Sequence, residues 1–202
     1  IPYESQEKYL NIILSETDRL TNLTSNLLEL NSFNGDNVLL DITTFNICET
    51  IVQTVNTLEG TAAKKEISFV LDYNTQKELL VEADESKIHQ VLYNLIDNAV
   101  KFSHNNSEIK ISLRKKGAKV FVSVKDSGIG IPKESLNKVF DRFYKTDISR
   151  GKDKRGTGLG LSISKEIIQA HNQTINVVST VDVGTEFVFT LKYHSKKQEA
   201  SS

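Results

Sequence analysis

The feature that most limits how this chain can fold is a run of apolar residues near its start, spaced alternately four and three apart. The run consists of Tyr9, Ile13, Glu16, Leu20, Leu23, Leu27 and Leu30, with Glu16 as its polar member. This spacing predicts one helix over residues 4–33, with a seam typical of a coiled coil or bundle. Such a helix would be about 45 Å long. Its stripe cannot be buried against its own helix, so we expect partner helices from this chain or another copy.

The rest of the chain has the pattern of an α+β domain with a largely antiparallel sheet. A turn cluster at 34–37 marks the boundary between units 1–35 and 36–194, and the polar tail 195–202 is expected to be disordered. Alternating segments predict strands at 38–45, 67–73, 79–82, 108–116, 119–125, 175–179 and 186–193. Asn46 and Asp84 are predicted N-caps of helices, Pro132 is the predicted first residue of a short helix, and another helix is predicted over 159–171.

Composition excludes several classes of protein. The formal net charge is -1, so there is no basic field for nucleic acid. The one cysteine, Cys48, excludes an internal disulfide framework and suits a reducing compartment. No apolar run approaches the ~18 residues of a membrane span. The chain begins Ile1-Pro2 and contains no methionine, so we interpret it as a piece of a longer protein whose membrane segment could lie upstream.

The helix after Asp84 carries the first chemical signal. Asn94, Asn98 and Lys101 stand at i, i+4 and i+7 and therefore share one face. An amide oxygen is a hard ligand for magnesium, while amide nitrogens and an ammonium group donate to phosphate. Taken alone, this stripe is better explained as an ordinary solvated face.

Two glycine-rich segments and an aromatic one add to this signal. Residues 126–132 follow a predicted strand, and the carboxylate of Asp126 could accept a hydrogen bond from an exocyclic amine such as that of adenine. Residues 155–161 lead into a helix and could bring backbone N–H groups to phosphate, although they form neither a Walker loop nor a dinucleotide fingerprint in its usual context. Residues 140–145 and the turn at 184–187 are weak signals individually.

In their order and spacing, these elements resemble the sensor histidine kinases of two-component systems, and more broadly the ATPase superfamily shared with gyrase, the Hsp90 chaperones and the MutL repair proteins. Residues 94–102 match the asparagine box, 126–131 the first glycine box and 140–145 the phenylalanine box. Residues 156–161 match the second glycine box, and 184–185 the last glycine element. The match is close over about 45–192. The arm resembles, less specifically, the second helix of the dimerisation and histidine-phosphotransfer hairpin.

The resemblance implies a two-layer α/β sandwich of the Bergerat type, preceded by a long helical arm. It implies that Asn94, Asn98 and Lys101 are catalytic, that Asn94 ligates Mg2+, that Asp126 contacts adenine and that 145–155 form a lid. The full implied ATP site is Asn94, Asn98, Lys101, Phe102, Asp126, Gly128, Gly130, Ile131, Tyr144, Lys145, Gly156, Thr157, Gly158, Leu159, Gly160, Leu161 and Thr185.

Asn94 helps to choose among the chemistries of the superfamily. Its hydrolysing members carry a glutamate there as general base, and an amide cannot accept a proton in that role. The resemblance therefore implies a protein histidine kinase that transfers the ATP γ-phosphoryl group, for relay to a cognate response regulator. None of the four histidines has the context of the phosphoacceptor, so we expect that histidine on a separate hairpin of the parent. That parent would be a homodimer, with this chain as a cytoplasmic domain, and a membrane anchor is the expected arrangement.

Three alternatives stay open at this point. The chain could be an ATP-hydrolysing clamp of the gyrase and Hsp90 kind, which Asn94 disfavours. It could be a non-catalytic module kept for dimerisation, which the complete asparagine and glycine boxes disfavour. It could also be a serine kinase of the anti-sigma type, which usually lacks a long helical arm.

Overall fold

The computed structural model describes residues 3–32, 39–73, 78–146 and 156–195. The predicted turn at 34–37, the lid residues 147–155 and the tail residues 196–202 lie outside the described residues. In chain order the described elements are α1 (Tyr3–Ser32), β1 (Thr43–Asn46), α2 (Ile47–Ala63), β2 (Ser68–Asp72), β3 (Leu80–Ala83), α3 (Glu85–Phe102), β4 (Glu108–Lys116), β5 (Lys119–Lys125), α4 (Lys133–Leu136), α5 (Gly160–Ala170), β6 (Ile175–Thr180) and β7 (Gly184–Tyr193).

The strands form a seven-stranded sheet in the order β1-β3-β7-β5-β4-β2, with β6 paired to β7 off this path. Every pairing is antiparallel except that of β2 with β4, which is parallel. Helices α2, α3 and α5 pack on one side of the sheet. The predicted α+β fold, a two-layer sandwich preceded by a helical arm, is therefore confirmed.

Helix α3 is oriented by its apolar face. Five large aliphatic residues on that face are fully buried in the core: Ile88, Val91, Leu92, Leu95 and Ile96. Because burial of that face stabilises one rotation of the helix about its axis, Asn94 and Asn98 lie at partly exposed positions along its length.

The predicted N-caps are confirmed. The Asn46 side chain accepts a hydrogen bond from Cys48 N (3.2 Å), and its own amide donates to Glu49 Oε1 (2.8 Å). The Asp84 carboxylate accepts from Lys87 N (3.1 Å) at the start of α3. Each cap supplies an acceptor to the N–H groups that the first turn of a helix leaves unpaired.

The first strand is shorter than predicted. The prediction of a strand over 38–45 is wrong at its start, because β1 begins at Thr43, which pairs with Ala83. The ladder cannot extend further, because β3 ends there and Asp84 begins the cap of α3. Asp41 N instead donates to Asp84 Oδ2 (3.1 Å), and Leu39 is 95% exposed.

The arm α1 contacts the rest of the chain through its C-terminal end. Leu30 is fully buried, Leu23 packs against the core, and α1 lies against α5. Nearer the N-terminus, Tyr9, Ile13 and Leu20 of the predicted seam are exposed. Within the described part of this chain, the apolar seam of α1 is therefore buried only over its last turns. Over the described ranges, none of the helices combines the length and the apolar character needed to cross a bilayer.

Candidate nucleotide-binding site

A cleft opens between α3, the segment after β5, residues 139–146 and the start of α5. Fifteen of the residues expected from the sequence line it: Asn94, Asn98, Lys101, Phe102, Asp126, Gly130, Ile131, Tyr144, Lys145, Gly156, Thr157, Gly158, Gly160, Leu161 and Thr185. Segments far apart in sequence are thus brought to one place. The polar stripe of α3 faces the two glycine-rich segments across it.

Gly128 and Leu159, also expected at the site, do not line the described part of the cleft. A side chain at position 128 would collide with the carbonyl of Phe102, so a glycine is needed there for the segment to approach the end of α3. Leu159 is fully buried in the hydrophobic core just before α5. Both residues hold the walls of the cleft in place.

Asn94 links the two sides of the cleft. Its Nδ2 donates to the carbonyl oxygen of Gly160 (3.1 Å) and lies 3.4 Å from Ser164 Oγ. A carbonyl oxygen can only accept, so the side-chain atom that faces it is the amide nitrogen. The amide oxygen is thereby left for another partner, and a hard cation prefers such an oxygen.

Lys101 and Asp97 form an ion pair one turn further along α3. The Lys101 ammonium lies 2.6 Å from Asp97 Oδ2, and both residues line the cleft. This pairing places a cation beside Asn98. It also partly neutralises a carboxylate that would otherwise repel an anionic ligand.

Asp126 lines the cleft near the C-terminal end of α3, since its Oδ1 and the Phe102 carbonyl both lie against Gly128. It is only 5% exposed, and its Oδ1 accepts a hydrogen bond from Thr185 N (3.2 Å). Burial raises the pKa of Asp126 to about 6, although hydrogen bonds from the Thr185 and Gly128 backbone and the charge of His104 oppose this shift. At neutral pH the residue is a desolvated carboxylate, for which a neutral N–H donor is a favourable partner.

The residues on either side of the predicted lid meet at its base. Phe143 N donates to Gly158 O (3.0 Å), and both residues have positive φ, +61° and +73°. A Cβ at Gly158 would lie 3.0 Å from the Phe143 backbone, so a larger residue would strain this contact. Nearby, Phe140 packs edge-to-face on Phe187 with ring centroids 6.1 Å apart, and Tyr144 donates to Ser135 Oγ (2.9 Å). The segment 140–144 is therefore anchored to the domain.

Seven lining residues are not among those of the ATP site implied by the resemblance: Asn26, Asp97, Ala99, Ile129, Val139, Thr146 and Phe187. Asn26 belongs to α1 and is placed three residues after Leu23 and four before Leu30, on the face that packs against α5. That spacing was a usable signal. Val139 has the pattern of an ordinary core residue, so nothing in the sequence marked it, whereas Phe187 belongs to the turn at 184–187 and was marked only as part of that weak signal.

Of the described residues that line the cleft, none is a histidine. His171 accepts a hydrogen bond from Asp84 N at its Nε2 (2.9 Å), and its Nδ1 lies 2.7 Å from Ile167 O. His194 contacts Glu82 Oε1 (3.1 Å). These two rings join helices and strands of the domain, as expected for structural residues.

Known proteins match this chain over nearly its whole length. Residues 83–195 match the family described as Histidine kinase-, DNA gyrase B-, and HSP90-like ATPase. The sensor histidine kinase WalK of Bacillus subtilis (strain 168) is 35% identical over 194 residues, which cover 95% of this chain and 31% of that protein. The solved catalytic domain of histidine kinase ThkA is 36% identical, with a TM-score of 0.67, over 76% of this chain and 96% of that one. The structure of ThkA in complex with response regulator protein TrrA is 33% identical, with a TM-score of 0.76, over 96% of this chain and 53% of that one.

A two-layer sandwich with its cleft between an asparagine-bearing helix and two glycine-rich segments defines an ATP-binding domain. The chain belongs to the family of histidine kinase-, DNA gyrase B- and HSP90-like ATPases. Within that family it is a catalytic ATP-binding domain of the sensor histidine kinase type. It spans less than half of the length of these curated WalK relatives, 31% in the case of the Bacillus subtilis protein.

Proposed function

We propose that this domain binds Mg-ATP and transfers its γ-phosphoryl group to a histidine on a separate helical hairpin of the parent kinase, for relay to a response regulator. The observation that carries the proposal is the state of Asn94. Its amide nitrogen is committed to the Gly160 carbonyl, and an amide has no basic site with which to activate water. The cleft therefore suits a site that holds ATP for a nucleophile supplied from outside.

The described part of the cleft contains two carboxylates, and neither is placed as a free base. Asp97 is paired with Lys101. Asp126 is buried and accepts a hydrogen bond from Thr185 N. We assign Asp126 to the adenine amine and the stripe of Asn98 and Lys101 to the phosphates, with Tyr144, Lys145 and residues 156–161 around them. Phosphoryl transfer requires mainly positioning and neutralisation of charge, which such groups can supply.

Magnesium fits the residues present at Asn94. The hydrogen bond to Gly160 O directs the amide nitrogen away from any cation and leaves the oxygen as the available ligand atom. When bound, the ion would offset the negative charge of the phosphates. Asn94 would hold the ion, and the Lys101 ammonium group, on the same helix face, would add a second positive charge to offset that of the phosphates.

The arm α1 is the evidence for a helical partner that carries the phosphoacceptor histidine. Tyr9, Ile13 and Leu20 of the seam are exposed on the N-terminal part of α1. An apolar seam of this kind is buried when further helices pack against it. We therefore propose that α1 is one helix of the phosphotransfer hairpin and that the parent kinase is a homodimer. We further propose a membrane-anchored parent with this domain on its cytoplasmic side, which suits the single buried thiol of Cys48.

Trans-phosphorylation tests the proposal. The domain is mixed with Mg-ATP and a folded histidine-bearing hairpin of its parent, and the product is treated with acid. We expect an acid-labile phosphoryl group on the hairpin and none on the isolated domain. Asn94→Ala serves as the inactive control. An acid-stable product would indicate a serine kinase, and rapid ATP hydrolysis without any acceptor would indicate a clamp ATPase. Either outcome would contradict the proposed function.

A further inference from the structure

We infer that Lys65, which lies outside the matched family region, is a positioning residue that holds the adenine end of the cleft in its binding geometry. This inference rests on the proposed function only in taking the cleft to be a nucleotide site. Lys65 follows α2 and lines no part of the described cleft. Its effect on the ligand would pass through the C-terminal end of α3.

The Lys65 ammonium group is placed against the end of α3. Its Nζ donates to three backbone carbonyl oxygens, those of Val100 (2.7 Å), Lys101 (2.8 Å) and Ser103 (3.0 Å). The last carbonyls of a helix have no partner within the helix, and an ammonium group carries three donors. Its positive charge also complements the negative end of the helix dipole. Lys65 thus acts as a C-cap supplied from another element.

The remaining carbonyls at this helix end have other partners. Ala99 O accepts from Ser103 N (2.9 Å), and Phe102 O accepts from Ile129 N (3.2 Å). Ile129 belongs to the first glycine-rich segment and lines the cleft. Lys65 and the glycine-rich segment therefore bind different carbonyl groups at the end of α3. The position of the segment thus depends on the position of the helix end.

The end of α3 and the first glycine-rich segment are in close backbone contact. Ser103 and Gly128 form an isolated antiparallel bridge, and a side chain at Gly128 would collide with Phe102 O. Asp126, two residues earlier, is the group assigned to adenine. A displacement of the helix end by loss of its cap would thus move Phe102, Ile129 and the segment that carries Asp126 together.

The backbone of Lys65 is itself held by hydrogen bonds, and this directs its side chain toward the end of α3. Lys65 N donates to Ala62 O (2.9 Å), and Lys65 O accepts from Asn106 N (3.0 Å). Ile67 N also donates to Ala62 O (3.1 Å). The bond from Asn106 N ties the turn after α2 to the loop that follows α3, and the two bonds to Ala62 O fix the turn itself. The loss of the ammonium group should therefore loosen one defined place instead of the whole domain.

The test compares four variants for ADP affinity by calorimetry and for thermal stability. We expect Lys65→Met to weaken ADP binding at least about tenfold, equivalent to about 1.4 kcal/mol, and Lys65→Arg to keep most of the affinity because it retains the donors and the charge. Lys64→Met, at the exposed neighbouring position, should bind like wild type. Val55→Ala, a core change on α2 away from the cleft, controls for general destabilisation.

Amide hydrogen exchange gives a readout that needs no ligand. We expect the Ile129 amide to exchange faster in Lys65→Met, and to remain protected in Val55→Ala. The inference is overturned if Lys65→Met binds ADP within about twofold of wild type, a difference of under about 0.5 kcal/mol, or if Val55→Ala weakens binding as much at equal loss of stability. If wild type does not bind ADP, the proposed function fails, and the Ile129 exchange rate alone decides whether Lys65 positions the segment.

Discussion

Asp126→Asn should make the domain more stable while it weakens nucleotide binding. Asparagine has nearly the same shape, and its Oδ1 can still accept the hydrogen bond from Thr185 N. What changes is the charge, which the wild-type domain buries at neutral pH with only 5% of the residue exposed. The nucleotide-free domain therefore pays a desolvation cost that the variant avoids.

The size of this cost follows from the pKa of Asp126. The pKa rises from 3.8 to about 6 on folding, and each unit of difference between the two pKa values corresponds to about 1.4 kcal/mol. Because the folded state holds the proton more tightly, the free energy of unfolding falls as pH rises from about 4 to about 6 and is level above that. Wild type should thus lose about 3 kcal/mol across this window, and the variant should not.

Urea unfolding without nucleotide at pH 4.5 and pH 7.5 measures the effect. We expect Asp126→Asn to be up to about 3 kcal/mol more stable than wild type at pH 7.5 and much closer to wild type at pH 4.5. At pH 7.5 its ADP affinity should fall by more than about tenfold, since a charged acceptor is replaced. Asp141→Asn, at an exposed position, is the matched control and should change neither property. An equal gain at both pH values, or a loss at pH 7.5, would refute the reasoning.

Three further predictions concern binding and stability. Adenosine affinity of wild type should decrease as pH falls below about 6, where Asp126 takes up a proton; adenosine has no phosphate that titrates there, and a flat pH profile would contradict the assignment. Gly158→Ala should cost about 1–2 kcal/mol of stability because of its φ of +73°, seen as a lower urea midpoint than in the control Gly60→Ala, which has open space. Asp84→Ala should cost about 1–2 kcal/mol at pH 7. Burial opposes the ionisation of Asp84, but hydrogen bonds from Lys87 N, Ser86 and Asp41 N outweigh it and lower its pKa, so this difference should shrink as pH falls through that lowered pKa.

Most of the fold could be predicted because local patterns and tertiary packing agree. The alternation of Val120, Val122 and Val124 marked β5, and all three are buried in the core. Asp84 marked the start of α3 through its capping chemistry. The start of β1 could not be predicted, because it is set by where β3 ends and not by any residue of its own.

The residues of the candidate site also fall into those that the sequence could identify and those that it could not. The glycines at 128 and 130 could be identified because close approach of the backbone at these positions leaves no room for a side chain. Leu159 was placed at the site with its neighbours, yet it faces the core, since the repeated Gly-Leu pattern does not indicate which leucine points inward. Lys65 carried no signal, because its partners are backbone carbonyls that any residue could supply about 35 positions later.

The hydrogen bond between Phe143 and Gly158 has a consequence for how this domain can diversify. It closes the chain at the base of the predicted lid, so the two ends of that segment keep their separation whatever lies between them. Once the ends are pinned, doubling the length of a flexible connection adds only about 0.6 kcal/mol of closure entropy. Insertions, deletions or exchange of sequence within 147–155 should therefore leave Asn94, Asp126 and the other described cleft residues in register, and that part of the chain can change independently of the site.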